Sequence, residues 1–126
     1  MSEPVRGVVV AHGDLAAGLV SVVAAITGDH DTLVGVSNRE CGGDGLLDRL
    51  RTAVGDGRAV LFVDLPGGSC FTAGARFRHE RGDTPVVGGV SLPMLVDFVM
   101  HPELAVDVRI EHAVNAGRRA MKVMGT

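Results

Sequence analysis

At 126 residues, 46% of them hydrophobic, and with a formal charge of −3, the chain has the size of one domain and enough apolar content to bury a sheet between helices. No uninterrupted apolar run approaches the roughly 20 residues of a membrane span. Basic residues lie in short scattered groups and aromatics make up only 3%, so there is no stacking platform for single strands and nucleic acid is excluded as a partner.

The start, Met1-Ser2-Glu3-Pro4-Val5, has no basic region before an apolar stretch, which makes the cytoplasm the expected compartment. The Val-rich run over residues 5 to 11 predicts a buried strand, and His12-Gly13 follows it at once. Residues 14 to 27 read as a helix closed by Gly28, and Asp29-His30-Asp31 turns the chain into a second strand over 32 to 36. A loop with Gly42, Gly43 and Gly45 leads to a helix carrying Leu46, Leu47, Leu50 and Val54 at three- and four-residue spacings. Ala59 to Val63 is a third strand, ending in Asp64 and then Leu65-Pro66-Gly67-Gly68-Ser69. Ser69 reads as the cap of a helix through Ala73, Ala75 and Phe77. Gly82-Asp83 turns into a fourth strand, 84 to 90, and Pro93 suits the first turn of the helix that follows to Met100. After Pro102 a last helix is expected from Glu103 to Arg119, with 120 to 124 either its final turn or a short strand. Strands alternating with helices predict one doubly wound α/β domain over 1 to 126, its mainly parallel sheet covered on both faces.

In such folds ligands bind at the carboxyl ends of the strands, which would bring His12, Asp64 and Ser69 to one edge. Familiar phosphate and nucleophile motifs do not fit. Gly13 and Gly18 have Walker-like separation, but Leu19 and Val20 stand where Lys and Ser or Thr are needed. The first strand is not followed by GxGxxG, and Gly67-Gly68-Ser69-Cys70-Phe71 lacks the second glycine of a nucleophile elbow. A receiver domain would need acidic residues after the first strand, where Ala11-His12-Gly13 stands.

What remains is a histidine beside a carboxylate. A carboxylate bonded to one ring nitrogen fixes the tautomer and leaves the other nitrogen nucleophilic, so Asp64 can orient His12 to carry a phosphoryl group. Gly67 and Gly68 let the backbone turn toward a ligand, and the helix beginning near Ser69 directs unpaired amides at a phosphate. Cys41 and Cys70 form no zinc-ligand spacing and read as reduced thiols, Cys70 as a buried, inert one. His30, His79, His101 and His112 have no inferable partner and read as solvated or structural. Met94 and Met100 read as core or rim packing.

Three segments, Val8-Val9-Val10-Ala11-His12-Gly13-Asp14-Leu15-Ala16, Val63-Asp64-Leu65-Pro66-Gly67-Gly68-Ser69 and Gly89-Val90-Ser91-Leu92-Pro93-Met94-Leu95, resemble the IIA domain of the mannose-type phosphoenolpyruvate-dependent sugar phosphotransferase system. The resemblance implies that His12 accepts phosphate from the histidine phosphocarrier HPr and hands it to a IIB component. It implies that Asp64 orients His12, that Gly67, Gly68 and Ser69 bind the phosphoryl oxygens, and that no metal or organic cofactor takes part. It also implies indirect coupling to a IIC/IID membrane permease and a homodimer with an exchanged C-terminal edge strand over Met121 to Met124. The chain departs from the family pattern at Cys70, where proline is common, and at Thr72 and Ser91, where asparagine is common. A more distant resemblance, to the phosphotransfer subunit of dihydroxyacetone kinase, fits the Leu65-Pro66-Gly67-Gly68-Ser69 segment less well. Two alternatives stay open: a regulatory module read through its phosphorylation state, and a small-ligand binding domain without phosphotransfer.

Overall fold

The computed structural model describes residues 4–125; Met1, Ser2 and Glu3, part of the segment read above for targeting signals, and Thr126 lie outside them. Four strands, β1 (Val5–Ala11), β2 (Leu33–Ser37), β3 (Arg58–Val63) and β4 (Val86–Val87), form one parallel sheet in the order β2-β1-β3-β4. The helices are α1 (Leu15–Thr27), α2 (Gly43–Val54), α3 (Gly68–Arg81), α4 (Leu92–Met100) and α5 (Val106–Ala120).

Successive strand residues point to opposite faces, and the Val-rich strands supply both. Val8, Val10, Leu61 and Val63 face α2 and α3 in one core, which includes Leu46, Leu47, Leu50, Val54, Cys70 and Phe77. Val9, Ala11, Val60 and Phe62 face α1, α4 and α5 in the other. There Phe62 and Phe98 meet edge to face, their ring centroids 5.0 Å apart. The expected 14–27 helix runs Leu15–Thr27 and ends at Gly28, whose φ of 78° is the left-handed C-cap that glycine supplies without strain.

Four expectations need correction. The fourth strand is confined to Val86–Val87, not 84 to 90, because Gly89 turns to a φ of 72° and breaks the extended run. Hydrogen bonds to β3 persist on either side, from Leu61 N to Pro85 O at 2.9 Å and from Val90 N to Val63 O at 3.0 Å. The last helix begins at Val106, since Pro102 to Leu104 form a turn closed by Leu104 N to His101 O at 3.3 Å. Within α3, Cys70, Ala73, Gly74 and Phe77 are buried and Ala75 is exposed. Ser69 does not cap α3: Gly67 holds the N-cap position, with no side-chain cap bond among the described residues. Residues 121 to 124 take neither helix nor strand in the single chain, and Met121, Val123 and Met124 are exposed.

Arg109 is a buried cation, only 4% exposed. Its Nε donates to Phe98 O at 2.7 Å and its guanidinium lies 3.9 Å from the Phe98 ring centroid. Phe98 O is among the terminal carbonyls of α4 that no later helical amide can reach, so Arg109 satisfies that end and complements its negative pole. Burial pushes the Arg109 pKa down, against the opposing charges of Glu103 and Asp29.

Candidate phosphotransfer site

β1 and β3 are adjacent and parallel, with Val10 opposite Val63, while the connection from β1 leads first to β2 on the other side. That reversal of direction makes the carboxyl ends of β1 and β3 the switch point of the sheet, where a crevice opens. His12 and Asp64 are the next residues of those strands, and Asp64 N bonds back to Val10 O at 3.2 Å.

Asp64 Oδ2 accepts from the backbone N–H of His12 at 2.9 Å and lies 2.7 Å from His12 Nδ1, while Oδ1 accepts from Leu65 N at 2.9 Å. The carboxylate side chain is 9% exposed and the imidazole 45%, so one partner is fixed inside and the other is presented to solvent. Burial, the strongest influence on the Asp64 carboxyl, pushes its pKa up; the hydrogen bonds and charge of His12 and the Leu65 amide together outweigh it and hold it below the ordinary value. With the shared proton on Nδ1, the Nε2 lone pair is the one left for chemistry.

The loop after β2 supports this arrangement from the other side, and sequence reasoning missed it. Ser37 Oγ donates to Gly13 O at 2.7 Å, Asn38 Oδ1 accepts from Gly13 N at 3.2 Å, and Arg39 pairs with Asp14 at 2.9 Å. Gly13 has a φ of 60°, the left-handed conformation that frees the chain to leave the strand abruptly after His12. The available signal was positional: Ser37 ends the strand beside β1, in register with Ala11.

The glycine turn lies on the opposite flank. Gly67 is extended, Gly68 has a φ of 84°, and Gly67, Gly68 and Ser69 are all exposed at the start of α3. The first-turn amides of α3 lack a side-chain cap among the described residues, and such an uncapped helix start can hold an anion. Cys70 brings that turn against the histidine, with Sγ 3.7 Å from His12 Nδ1. Burial foremost, and the Asp64 charge after it, pushes the Cys70 thiol up, with the Ser69 hydroxyl opposing. Ser91, another departure from the family pattern, caps α4 by accepting from Met94 N at 3.4 Å.

The site thus joins a largely buried carboxylate to an exposed imidazole beside the start of α3, and the comparisons give the family. Residues 7–114 match the family model of the PTS system fructose IIA component, EIIA-man. The chain belongs to the EIIA-man family. As a PTS IIA component it shares its fold with phosphotransferase system component EIIA from Streptococcus agalactiae, at 22% identity and a TM-score of 0.85 over 94% of this chain and 96% of that one. The mannose/sorbose specific IIA subunit from Enterococcus faecalis is similar at 19% identity and a TM-score of 0.84, over 98% and 97% of the two chains. A sigma-54 interaction domain protein from Enterococcus faecalis superposes at 15% identity and a TM-score of 0.75, over 95% of each chain. No curated protein matches the chain.

His12, Asp64 and Cys70 offer three potential metal-ligand atoms within 4.8 Å of one another. They suit a metal poorly, because Asp64 already accepts three hydrogen bonds and Cys70 is fully buried with its thiol held protonated. Among the described residues no helix is long and apolar enough to cross a membrane.

Proposed function

We propose that this IIA component is a cytoplasmic histidine phosphocarrier, accepting a phosphoryl group from HPr on His12 and passing it to a IIB component. The observation that carries the reading is the 2.7 Å contact between His12 Nδ1 and the buried Asp64 carboxylate at adjoining strand ends. Asp64 holds the proton on Nδ1, so Nε2 attacks the phosphorus in line with the departing nitrogen of phospho-HPr. The new Nε2–P bond forms as the donor's N–P bond breaks, and the donor histidine keeps that electron pair. The imidazole of His12 becomes cationic as the bond forms, and Asp64 stabilises that charge through Nδ1–H. The amides of Gly68, Ser69 and Cys70 at the start of α3, with the Ser69 hydroxyl, bind the phosphoryl oxygens. A charge at a helix start is stabilised by about 0.3 to 1 kcal/mol, up to ~2 in partly buried sites, which orients the group without trapping it. Transfer between two imidazoles calls on neither a metal nor an organic cofactor.

Onward transfer would couple the IIB component to a IIC/IID permease, and the exposed Met121, Val123 and Met124 fit a homodimer in which the C-terminal segments are exchanged as edge strands. A second reading draws on the likeness to the sigma-54 interaction domain protein: phosphorylation of His12 controls another protein instead of sugar transport. Incubation with phosphoenolpyruvate, enzyme I and HPr, followed by intact-mass measurement, tests the shared chemistry. An acid-labile gain of one phosphoryl group, lost in His12→Ala, is expected; no gain with a competent HPr overturns both readings. Release of that group to an added IIB component then separates transport from regulation.

A further inference from the structure

The second concentration of metal-ligating side chains lies on the α4–α5 pair, at the opposite edge of the sheet from His12. α4 starts beside the carboxyl end of β4 and runs back, so that Pro102 shares a surface cavity with Val5, Thr32 and Arg58 at the strand starts. Asp97 and His101 are one helical turn apart and project from the same face at the end of α4, and His112 reaches them from α5. His112 Nδ1 is 2.7 Å and His101 Nδ1 3.5 Å from the same oxygen, Asp97 Oδ1, and His101 Nδ1 is also 2.8 Å from Asp97 O. The two rings stand 4.4 Å apart between centroids, tilted by 51°.

Several features favour a cation here over a pair of hydrogen bonds. The Asp97 side chain is 13% exposed, and among the described residues its ion-pair partners are these two imidazoles, with no arginine or lysine. One ligand-capable atom from each residue falls within a 4.8 Å span. A tetrahedral zinc ion bonds N and O donors at about 2.0–2.2 Å, which sets neighbouring donors about 3.3 Å apart. The two observed separations, 2.7 and 3.5 Å, bracket that spacing. Replacing the proton between His112 and Asp97 with a metal therefore requires half-exposed His112 to move outward and His101 Nδ1 to exchange its 2.8 Å contact with Asp97 O for the ion. The donor set also selects the ion: two imidazoles and a carboxylate suit first-row transition metals, whereas calcium and magnesium prefer oxygen alone.

We propose that Asp97, His101 and His112 form a three-donor site for a divalent first-row transition ion, with water completing its coordination, that ties the end of α4 to α5. The inference is independent of the phosphocarrier reading, since none of the three residues touches His12 or Asp64. The test is calorimetric titration of the full chain with zinc chloride, in a His12→Gln background that removes the other potential ligand cluster. One equivalent is expected to bind, weakened by about tenfold or more in His101→Gln and in His112→Gln, with calcium giving no binding. Zinc should also raise the melting temperature of the parent chain by more than that of either variant. Failure to bind zinc at millimolar concentration, or binding undiminished in both glutamine variants, overturns the proposal. The two substitutions lie on different helices, so each checks the other against simple misfolding.

Discussion

Asp64→Asn isolates what the carboxylate contributes, because it keeps the shape while removing the charge and turning one acceptor into a donor. Oδ2 serves His12 N and Nδ1, and Oδ1 serves Leu65 N. If the new NH₂ faces Leu65, that amide is left without its partner, at a cost of about 1–3 kcal/mol in stability. If it faces His12, the ring must accept at Nδ1, which moves its proton to Nε2 and blocks the attacking atom. Under either orientation the developing imidazolium loses a charge-assisted hydrogen bond, a contribution of about 1.5–3 kcal/mol. That corresponds to phosphoryl transfer slower by about 10- to 150-fold. Single-turnover transfer from phospho-HPr measures the rate and urea unfolding measures the stability. A folded Asp64→Asn chain that is phosphorylated within about twofold of the parent rate would refute the orienting role. The variant also fixes a pH signature. The folded pKa of Asp64 lies below its ordinary value of 3.8, so its stabilising contribution is complete above that pH and is lost as pH falls through the lower folded value. The stability gap between parent and Asp64→Asn should be constant near neutrality and narrow below pH 3.8.

Gly68→Ala forces a side chain into a φ of 84°, at a cost of about 1–2 kcal/mol, and should slow phosphorylation by disturbing the first turn of α3; an unaltered rate and melting temperature would count against that turn as the phosphoryl cradle. Alkylation with iodoacetamide followed by peptide mass spectrometry should label Cys41 well before Cys70, since burial and Asp64 hold the Cys70 thiol protonated; equal labelling would mean that the crevice opens readily. Arg109→Ala leaves Phe98 O without its charged donor and should destabilise the fold by about 1.5–3 kcal/mol in chemical denaturation, with transfer from phospho-HPr unchanged. Deleting residues 120 to 126 should lower the mass in solution if those segments hold a dimer together, and an unchanged mass would argue against exchange.

The site was legible because its two central residues interrupt runs of a different character. Val8 to Ala11 and Ala59 to Val63 are buried on both faces, so the first polar residue after each has to emerge at the carboxyl edge. The helix α2 was legible for the related reason that Leu46, Leu47, Leu50 and Val54 keep one face buried. Where local chemistry permitted two outcomes, tertiary packing decided. Ser69 is a good cap by type, but a glycine pair allowed the chain to turn two residues earlier, at Gly67. Val86 to Val90 has strand composition, yet Gly88 packs against Pro66, where a Cβ would come within 3.1 Å of the Pro66 Cβ, and Gly89 leaves the extended region. The partnership of His112 with Asp97 was invisible for a different reason: it depends on how α4 and α5 cross, which no spacing within either helix encodes.

The unequal exposure of His12 and Asp64 suits the proposed phosphoryl relay. A carrier must meet a donor and an acceptor with the same atom, so its imidazole must project far enough to enter two different partner surfaces; at 45% exposure His12 does. An imidazole that exposed would rotate and exchange tautomers freely unless something rigid held its inner edge. Asp64, 9% exposed and fixed by the amides of His12 and Leu65, supplies that hold without reaching the outer edge where the phosphoryl group would sit. Gly13, clamped by Ser37 and Asn38, prevents the histidine from being pulled out of register with the carboxylate. Weakening that clamp should therefore lower transfer without touching the reacting atoms. Asn38→Ala is the cleanest case, with an expected loss in rate smaller than that of Asp64→Asn and similar toward donor and acceptor. A loss confined to one partner would instead place Asn38 in that partner's docking surface.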